Sequence, residues 1–251
     1  MIDFLPYIRK ATFSAQMAPL ADRHPFTLPA VRCLDQIVFD KDMTILVGEV
    51  GSGKSTIMEG IAIAAGFNAE GGSRNFNFST ALAHSDLHKF ITLSKSPLRP
   101  RDGFFFRAES YFNLASNIEA LDKEFSFGPP IINSYGRRSL HHQSHGESFL
   151  ALVTHRFGGH GLYLLDEPEA ALSPSRQLVL LRRMRDLARL NSQFIIATHS
   201  PILMAYPGAR IYLLSDNGAV HVQYEETEHY LVTKHFMTNR STMLAELLGD
   251  K

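Results

Sequence analysis

The stretch Gly48-Glu49-Val50-Gly51-Ser52-Gly53-Lys54-Ser55 decides the fold. It matches the pattern GxxxxGK[ST] in full, and it lies between an apolar run at residues 44–47 and an apolar-rich run at 54–65. A strand, a glycine-rich turn and a helix are the context that this pattern requires. Glycines let backbone N–H groups turn inward around an anion, and the N-terminus of the following helix adds positive potential. The stretch therefore predicts a phosphate-binding loop (the P-loop, residues 48–55) in an α/β fold.

The residue types in the loop indicate a nucleotide with a magnesium ion. Lys54 is placed to reach the β- and γ-phosphates, where it would also assist catalysis, and Ser55 is placed to bind Mg²⁺. The pattern alone leaves kinases, GTPases and ATPases open. The predicted nucleotide-binding residues of this loop are Gly48, Glu49, Val50, Gly51, Ser52, Gly53, Lys54, Ser55 and Thr56.

Two carboxylates follow a second apolar run, residues 162–165. The first, Asp166, is expected to hold Mg²⁺, and the second, Glu167, to orient and deprotonate a water molecule. A base at this position favours hydrolysis over transfer to a second substrate. GTPases and P-loop kinases are further disfavoured, since no Asn-Lys-x-Asp motif follows the P-loop.

The apolar runs predict a mostly parallel sheet flanked by helices, all within one domain spanning residues 1–251. Runs at 44–47, 162–165, 194–197 and 210–214 are continuous, as in strands buried on both faces. Helices are predicted at 54–65, ending at Gly66, and at 174–190, beginning after Ser173. Residues 67–140 are interpreted as an insertion that forms a helical subregion of this domain.

The stretch Gln143-Ser144-His145-Gly146-Glu147-Ser148 resembles the LSGGQ signature of the ABC-type ATPase superfamily. Ser144, Gly146 and Glu147 stand at the Ser, second Gly and Gln positions, while Gln143 and His145 depart from the pattern. The resemblance implies that this segment contacts the γ-phosphate of ATP held by an opposite subunit. It therefore implies a head-to-tail homodimer that forms with ATP.

Two further segments resemble the same superfamily. His199 follows the run at 194–197 and matches its switch histidine, which implies a hydrogen bond to the γ-phosphate and a part in positioning the water. The stretch 166–174 reads DEPEAALSP, which looks less like transporter subunits than like the stand-alone ATPases of the RecF- and OLD-like, SMC-related branch. Ser173 replaces the Asp of the transporter pattern. The stretches 66–76 and 106–110 resemble a small bacterial group of AAA-type or ABC-type ATPases.

Two family features have only substitutes in this sequence. Glu109, after the strand-like residues 103–106, stands in for the Gln that senses Mg²⁺. Phe26 is a candidate for the aromatic residue that stacks on adenine, with a core position as the alternative.

Composition narrows the remaining possibilities. The 251 residues carry 25 Lys and Arg against 25 Asp and Glu, so the net charge of zero excludes a broadly basic nucleic-acid-binding coat. The lone Cys33 is expected to be a buried thiol, and one cysteine fits a reducing cytosol. No apolar stretch approaches the roughly 20 residues of a membrane span, so a cytoplasmic protein without direct membrane insertion is expected.

Three functional hypotheses remain, each using ATP and Mg²⁺. The first is an ATPase whose homodimer sandwiches two nucleotides. The second is an ATP-switched clamp on nucleic acid or an unknown protein partner; the SMC-like resemblance favours it, and the neutral charge and the absence of coiled-coil heptads weaken it. The four arginines of residues 182–189 could contact DNA phosphates, with a solvated helix face as the favoured alternative. The third is the nucleotide-binding subunit of a membrane transporter, which the DEPE stretch disfavours.

Overall fold

Among the described residues, the first sheet of the chain is antiparallel and has three strands, with Ile8–Phe13 (β1) between Gln36–Val38 (β2) and Ile91–Lys95 (β4). The computed structural model describes residues 5–20, 22–73, 85–110 and 145–249. Most of the predicted helical subregion, residues 67–140, lies outside the described residues, and so does Ser144 of the signature segment. The strands are β1 (Ile8–Phe13), β2 (Gln36–Val38), β3 (Met43–Val47), β4 (Ile91–Lys95), β5 (Asp102–Arg107), β6 (Gly161–Asp166), β7 (Gln193–Ala197), β8 (Arg210–Ser215) and β9 (Gly218–Val222).

In the part of the chain that the structure describes, the second sheet has six strands in the order β5-β6-β7-β3-β8-β9. Its first five strands are parallel, and only β9 runs antiparallel to its neighbour. Strand β7 lies between β3, which leads into the P-loop, and β6, which leads into the carboxylate pair. The predicted α/β class with a mostly parallel sheet is confirmed.

Both faces of the second sheet are buried, which explains the continuous apolar runs. Along β3, Met43, Ile45 and Val47 enter one core, while Leu46 enters the other. Since successive side chains of a strand point to opposite faces, a sheet covered on both sides needs apolar residues at every position. All five residues of β3 are accordingly buried.

Helices cover the two faces. The helix Lys54–Ala65 (α2) packs against one face of the second sheet, in the core that it shares with the first sheet. The helix Pro174–Arg189 (α4) packs on the opposite face. Gly66 ends α2 in the left-handed region at φ 95°, as its glycine predicts. The helices are α1 (Pro29–Arg32), α2 (Lys54–Ala65), α3 (His145–Ala151), α4 (Pro174–Arg189), α5 (Pro201–Met204), α6 (Glu228–Thr238) and α7 (Arg240–Leu248).

Two local expectations differ from the structure. Cys33 is exposed, because it follows the four-residue helix α1 at a turn rather than pointing into a core. Ser173 stands at the start of α4, but its hydroxyl lies 3.1 Å from that of Ser175 and does not cap the helix. None of the described helices is long and apolar enough to cross a membrane.

Candidate functional site

Three chain segments meet at the carboxyl edge of the second sheet. The P-loop follows β3, and Asp166 ends β6 with Glu167 directly after it. His199 follows β7, which lies between these two strands. The backbone pairing continues past the strands, because Thr198 N–H donates to Leu46 O at 3.2 Å and Glu167 N–H donates to Ala197 O at 2.9 Å. Ligands of open parallel sheets bind at this edge.

The P-loop holds its lysine against its own backbone. Lys54 is 4% exposed, and Nζ donates to the carbonyl oxygens of Gly48 at 2.9 Å and Glu49 at 2.8 Å. Burial lowers the pKa of Lys54, and the nearby carboxylates partly offset this. The buried hydroxyl of Ser52 has no hydrogen-bond partner among the described residues. A buried donor without a partner beside a held ammonium group fits an anion site.

The predicted metal ligands touch each other. The Ser55 hydroxyl donates to Oδ1 of Asp166 at 3.0 Å, although the two residues are 111 positions apart. Asp166 is 4% exposed, and burial raises its pKa to about 7, against the opposing effects of Arg107 and the Ser55 hydrogen bond. The carboxylate therefore lies in a place where a cation would stabilise its charged form.

The predicted base and the switch histidine lie side by side. Nε2 of His199 is 4.0 Å from Oε1 of Glu167, and the Glu167 side chain is 43% exposed. Glu167 has φ 51° and ψ 51°, a left-handed conformation that is costly for a residue with a side chain. Such conformations concentrate at functional sites, and here the turn directs the chain away from the sheet directly after Asp166.

Glu169 also contacts the site, although no sequence motif assigns it. Its Oε1 accepts a hydrogen bond from the backbone N–H of His199 at 2.6 Å, so it anchors the chain at the end of β7. Burial raises the pKa of Glu169, against the hydrogen bonds it receives. The DEPE stretch contained the signal: a second glutamate two positions after the base lies within reach of the next strand.

His229 also contacts the site, although no sequence motif marks it. Its Nε2 lies 3.1 Å from Nδ1 of His199, and the ring centroids are 5.3 Å apart. It belongs to the first turn of α6, thirty residues beyond His199. Only the fold brings this helix to the sheet edge.

The described part of the signature segment packs onto the stretch that follows Glu167. A Cβ on Gly146 would lie 2.4 Å from the carbonyl oxygen of Ala171, so the backbones approach too closely for any side chain. Glu147 forms an ion pair with Arg176 at 3.0 Å. The segment is thereby linked to the residues beyond the predicted base, while Ser144 is outside the described residues.

The two substitute residues occupy different environments. Glu109 pairs with Arg107 at the end of β5, and it shares a cavity of about 760 Å³ with Ser55. Phe26 also borders this cavity, but it is 4% exposed and packs edge-to-face on Phe90 at 5.2 Å. This position favours the core role for Phe26.

The arginines of α4 are largely occupied by contacts within the chain. Arg183 donates to the carbonyl groups of Val153, Thr154 and Phe157, which end the helical turn after α3. Arg182 pairs with Asp186, and the Arg185 guanidinium lies 5.9 Å over the ring of Tyr206. Three of the four arginines thus have structural partners, which removes most of the support for a nucleic-acid contact here.

Two family models match the chain. One, described as "AAA domain", matches residues 29–119, and the other, described as "AAA domain, putative AbiEii toxin, Type IV TA system", matches residues 94–205. The first contains the P-loop, and the second contains Asp166, Glu167 and His199. The two matches therefore include the P-loop, the carboxylate pair, Glu169 and His199, while His229 lies beyond them.

Two curated relatives match the chain over part of their length. A Geobacter sulfurreducens protein named "Putative ABC transporter ATP-binding protein" is 31% identical over 121 residues, which are 46% of this chain and 39% of that protein. A Haemophilus influenzae protein named "Uncharacterized ABC transporter ATP-binding protein" is 33% identical over 79 residues, 31% of this chain and 30% of that protein. The chain thus spans well under half the length of these relatives.

Solved structures give a weaker likeness. One titled "Structure of ATP binding subunit of ABC transporter" has a TM-score of 0.46 at 18% identity, covering 77% of this chain and 85% of that one. The SMC head domain of Thermotoga maritima has a TM-score of 0.41 at 16% identity, covering 86% and 98%. These TM-scores are too low to support an argument, so the description of the fold rests on the sheet order given above. The two AAA-domain matches and the ABC ATP-binding relatives support a P-loop ATPase of the ABC type, and the P-loop and the carboxylate pair lie within the residues that the AAA-domain models match.

Proposed function

We propose that the chain binds ATP with Mg²⁺ at this sheet edge and hydrolyses it. The hydrogen bond between Ser55 and Asp166 carries the proposal, because it joins the P-loop to the strand that bears the predicted base. Glu167 follows directly, and His199 lies 4.0 Å from it. Phosphate-binding, metal-binding and water-activating groups thus share one edge.

The donor set fits Mg²⁺. A hydroxyl and a carboxylate are hard oxygen ligands, which this ion prefers together with phosphate oxygens and water. Asp166 and Ser55 would hold the ion, and its charge would offset that of the phosphates. The raised pKa of Asp166, caused first by burial, supports the assignment since a buried carboxylate gains most from a cation.

Each side chain has a role that follows from its position. The P-loop N–H groups and the Lys54 ammonium group bind the phosphates and stabilise charge that develops on them. The Glu167 carboxylate, 43% exposed, is accessible to water and accepts its proton. His199 donates a hydrogen bond from Nε2 to the γ-phosphate. We place this activity in the cytoplasm, where nucleotide and magnesium are available.

We also propose an ATP-dependent homodimer. The helix that begins at His145 carries Gly146 and the Glu147 side chain, which is 53% exposed, and its N-terminus would complete the nucleotide site of a second copy. Ser144 would contribute its hydroxyl to that γ-phosphate. In this arrangement two nucleotides lie between P-loops and signature segments of opposite chains, and hydrolysis opens the dimer.

Removal of the base tests both parts. In Glu167→Gln, phosphate release should fall by roughly 10²–10⁴-fold while ATP still binds. Light scattering should then show a dimer with ATP and a monomer without it. Glu246→Gln, in the exposed helix α7, is the matched control. Unchanged turnover in Glu167→Gln would refute the hydrolysis assignment, and a monomer at saturating ATP would refute the dimer.

The names of the two curated relatives favour a second candidate, the ATP-binding subunit of a transporter. Since no described helix could cross a membrane, a separate protein would have to supply the spanning part. Glu167→Gln trapped with ATP should then retain a multi-spanning membrane protein in a pull-down from detergent-solubilised cells. Retention of none would leave the stand-alone ATPase.

A further inference from the structure

Each ring nitrogen of His199 faces a polar group. Nδ1 lies 3.1 Å from Nε2 of His229, and Nε2 lies 4.0 Å from Oε1 of Glu167. The hydrogen bond at Nδ1 restrains the ring, and the Glu167 oxygen faces Nε2 from beyond direct hydrogen-bond distance. The two contacts also decide which nitrogen carries the proton, since the hydrogen bond at one nitrogen sets the state of the other.

The histidine pair holds a single proton between its rings. Burial lowers the pKa of both histidines. For His199, the charge of Lys54 lowers the pKa further, and Glu167 opposes the shift more weakly. For His229, Glu228 and Glu169 oppose the shift more weakly. Both rings are therefore neutral near pH 7. In a neutral pair at 3.1 Å, one nitrogen donates and the other accepts.

The carboxylate on the other side selects the donor. Nε2 of His199 faces an oxygen of Glu167, which can only accept when ionised, so the proton of His199 is favoured at Nε2. Nδ1 of His199 is then the acceptor, and Nε2–H of His229 is the donor. The same tautomer gives His199 the N–H group that a γ-phosphate requires.

Thr227 fixes the position of His229. It is 1% exposed and caps α6: its hydroxyl donates to Tyr224 O at 2.7 Å and accepts from Tyr230 N–H at 3.4 Å. His229 lies two residues later in the capped first turn. The helix start therefore sets the direction from which His229 reaches His199.

From this geometry we propose that His229 is a positioning residue for ATP hydrolysis. It donates from Nε2 to Nδ1 of His199 and thereby holds Nε2–H of His199 toward Glu167 and the γ-phosphate. The inference rests on the proposed hydrolysis for its consequence in turnover, while the tautomer itself is a property of the nucleotide-free protein.

Two substitutions separate the hydrogen bond from the bulk of the ring. His229→Phe keeps an aromatic ring but cannot donate, so kcat should fall roughly 10- to 100-fold with little change in KM for ATP. His229→Gln places an amide NH₂ near the position of Nε2, so it should restore most of the lost kcat. His235→Phe, two turns along α6, is the matched control and should keep wild-type turnover. If His229→Phe keeps wild-type kcat, or if His229→Gln is as impaired as His229→Phe, the proposal is overturned.

Nitrogen-15 NMR of histidine-labelled, nucleotide-free protein tests the tautomer directly. The His199 resonances, assigned by their loss in His199→Gln, should show the proton on Nε2 in the wild type and in His229→Gln. In His229→Phe they should show a mixture of tautomers. An unchanged His199 spectrum in His229→Phe would overturn the proposal even if turnover falls. If the wild type hydrolysed ATP no faster than Glu167→Gln, the proposed function would be contradicted. The NMR result would still decide whether His229 sets the tautomer of His199.

Discussion

The hydroxyl of Ser55 donates a hydrogen bond to Oδ1 of Asp166 at 3.0 Å, across 111 positions of sequence. One residue opens α2 and the other ends β6, and the two strands that lead to them are not neighbours in the sheet. The contact spans the end of the intervening strand β7. It thus combines the phosphate-binding loop and the predicted base into a single site.

Replacement of the Asp166 carboxylate should raise the stability of the protein without ligand. Burial raises the pKa of Asp166 to about 7, so the folded state is penalised once pH exceeds the unfolded value near 4, and fully so above 7. Asp166→Asn removes this penalty. At pH 8 in EDTA its free energy of unfolding should exceed that of the wild type by about 1–3 kcal/mol. Denaturant unfolding measures the difference.

The same variant should lose its response to ligand. Magnesium and ATP at 100 times the dissociation constant should stabilise the wild type by roughly 2.7 kcal/mol and Asp166→Asn far less. Asp186→Asn, whose side chain is 39% exposed, should differ from the wild type by under about 0.5 kcal/mol and keep the response. A full ligand response in Asp166→Asn would contradict the metal assignment.

Glu169 should affect turnover through the backbone of His199. Glu169→Ala removes the acceptor of the His199 N–H group, so kcat should fall roughly 10-fold or more, since small displacements of catalytic groups are costly. Glu169→Gln keeps an oxygen acceptor and should lose much less. Steady-state kinetics of both variants provides the comparison, and equal losses in the two would show that charge rather than the hydrogen bond matters.

The strands and loops of the site were predictable because their sequence signals are local. A sheet buried on both faces requires continuous apolar runs, and β3, β6, β7 and β8 each agree with the predicted run to within one residue at either end. The P-loop pattern likewise fixes backbone geometry through its own glycines. Gly53, for example, has φ 102° at the start of α2.

The contacts that complete the site were not predictable, because they depend on tertiary packing. His229 lies in a helix without a single buried residue, so no apolar periodicity marks it as part of the structure around the site. The first sheet was missed for a similar reason: β1 reads Ile-Arg-Lys-Ala-Thr-Phe, and its mixed pattern resembles a loop. Cys33 was expected to be buried, but an exposed turn after α1 overrides the preference of the residue type.

Gly146 should tolerate no side chain. A Cβ there would lie 2.4 Å from the Ala171 carbonyl oxygen, so Gly146→Ala must displace α3 from the stretch that follows Glu167. Overpacking of this kind costs about 1–3 kcal/mol, and turnover should fall with it. Gly158→Ala, where a Cβ would meet nothing within 4 Å, is the matched control. Thermal unfolding of the two variants should differ by several degrees; equal midpoints would contradict the close approach.

A polar cluster around the carboxylate of Asp102, away from the site, should make stability depend on pH. Oδ1 of Asp102 pairs with Arg156 at 2.7 Å, and Oδ2 accepts from Tyr163 at 2.8 Å and from Gly158 N–H at 3.1 Å. Burial alone would raise the pKa of Asp102, but Arg156 and these hydrogen bonds outweigh it, so the pKa lies below its ordinary value. The cluster therefore stabilises the fold above the unfolded pKa near 4, and this contribution is lost as pH falls through the folded value.

Asp102→Asn should remove that contribution. At pH 7 the variant should be less stable by about 1–3 kcal/mol, since Arg156 loses a charged partner that is only 14% exposed. The gap from the wild type should narrow below pH 4, because protonation removes the same charge from the native cluster. Denaturant unfolding from pH 7 to pH 3 measures the gap, with Asp186→Asn on the exposed pair as control. A gap that stays constant over this range would mean that Asp102 stabilises the fold through its shape and not its charge.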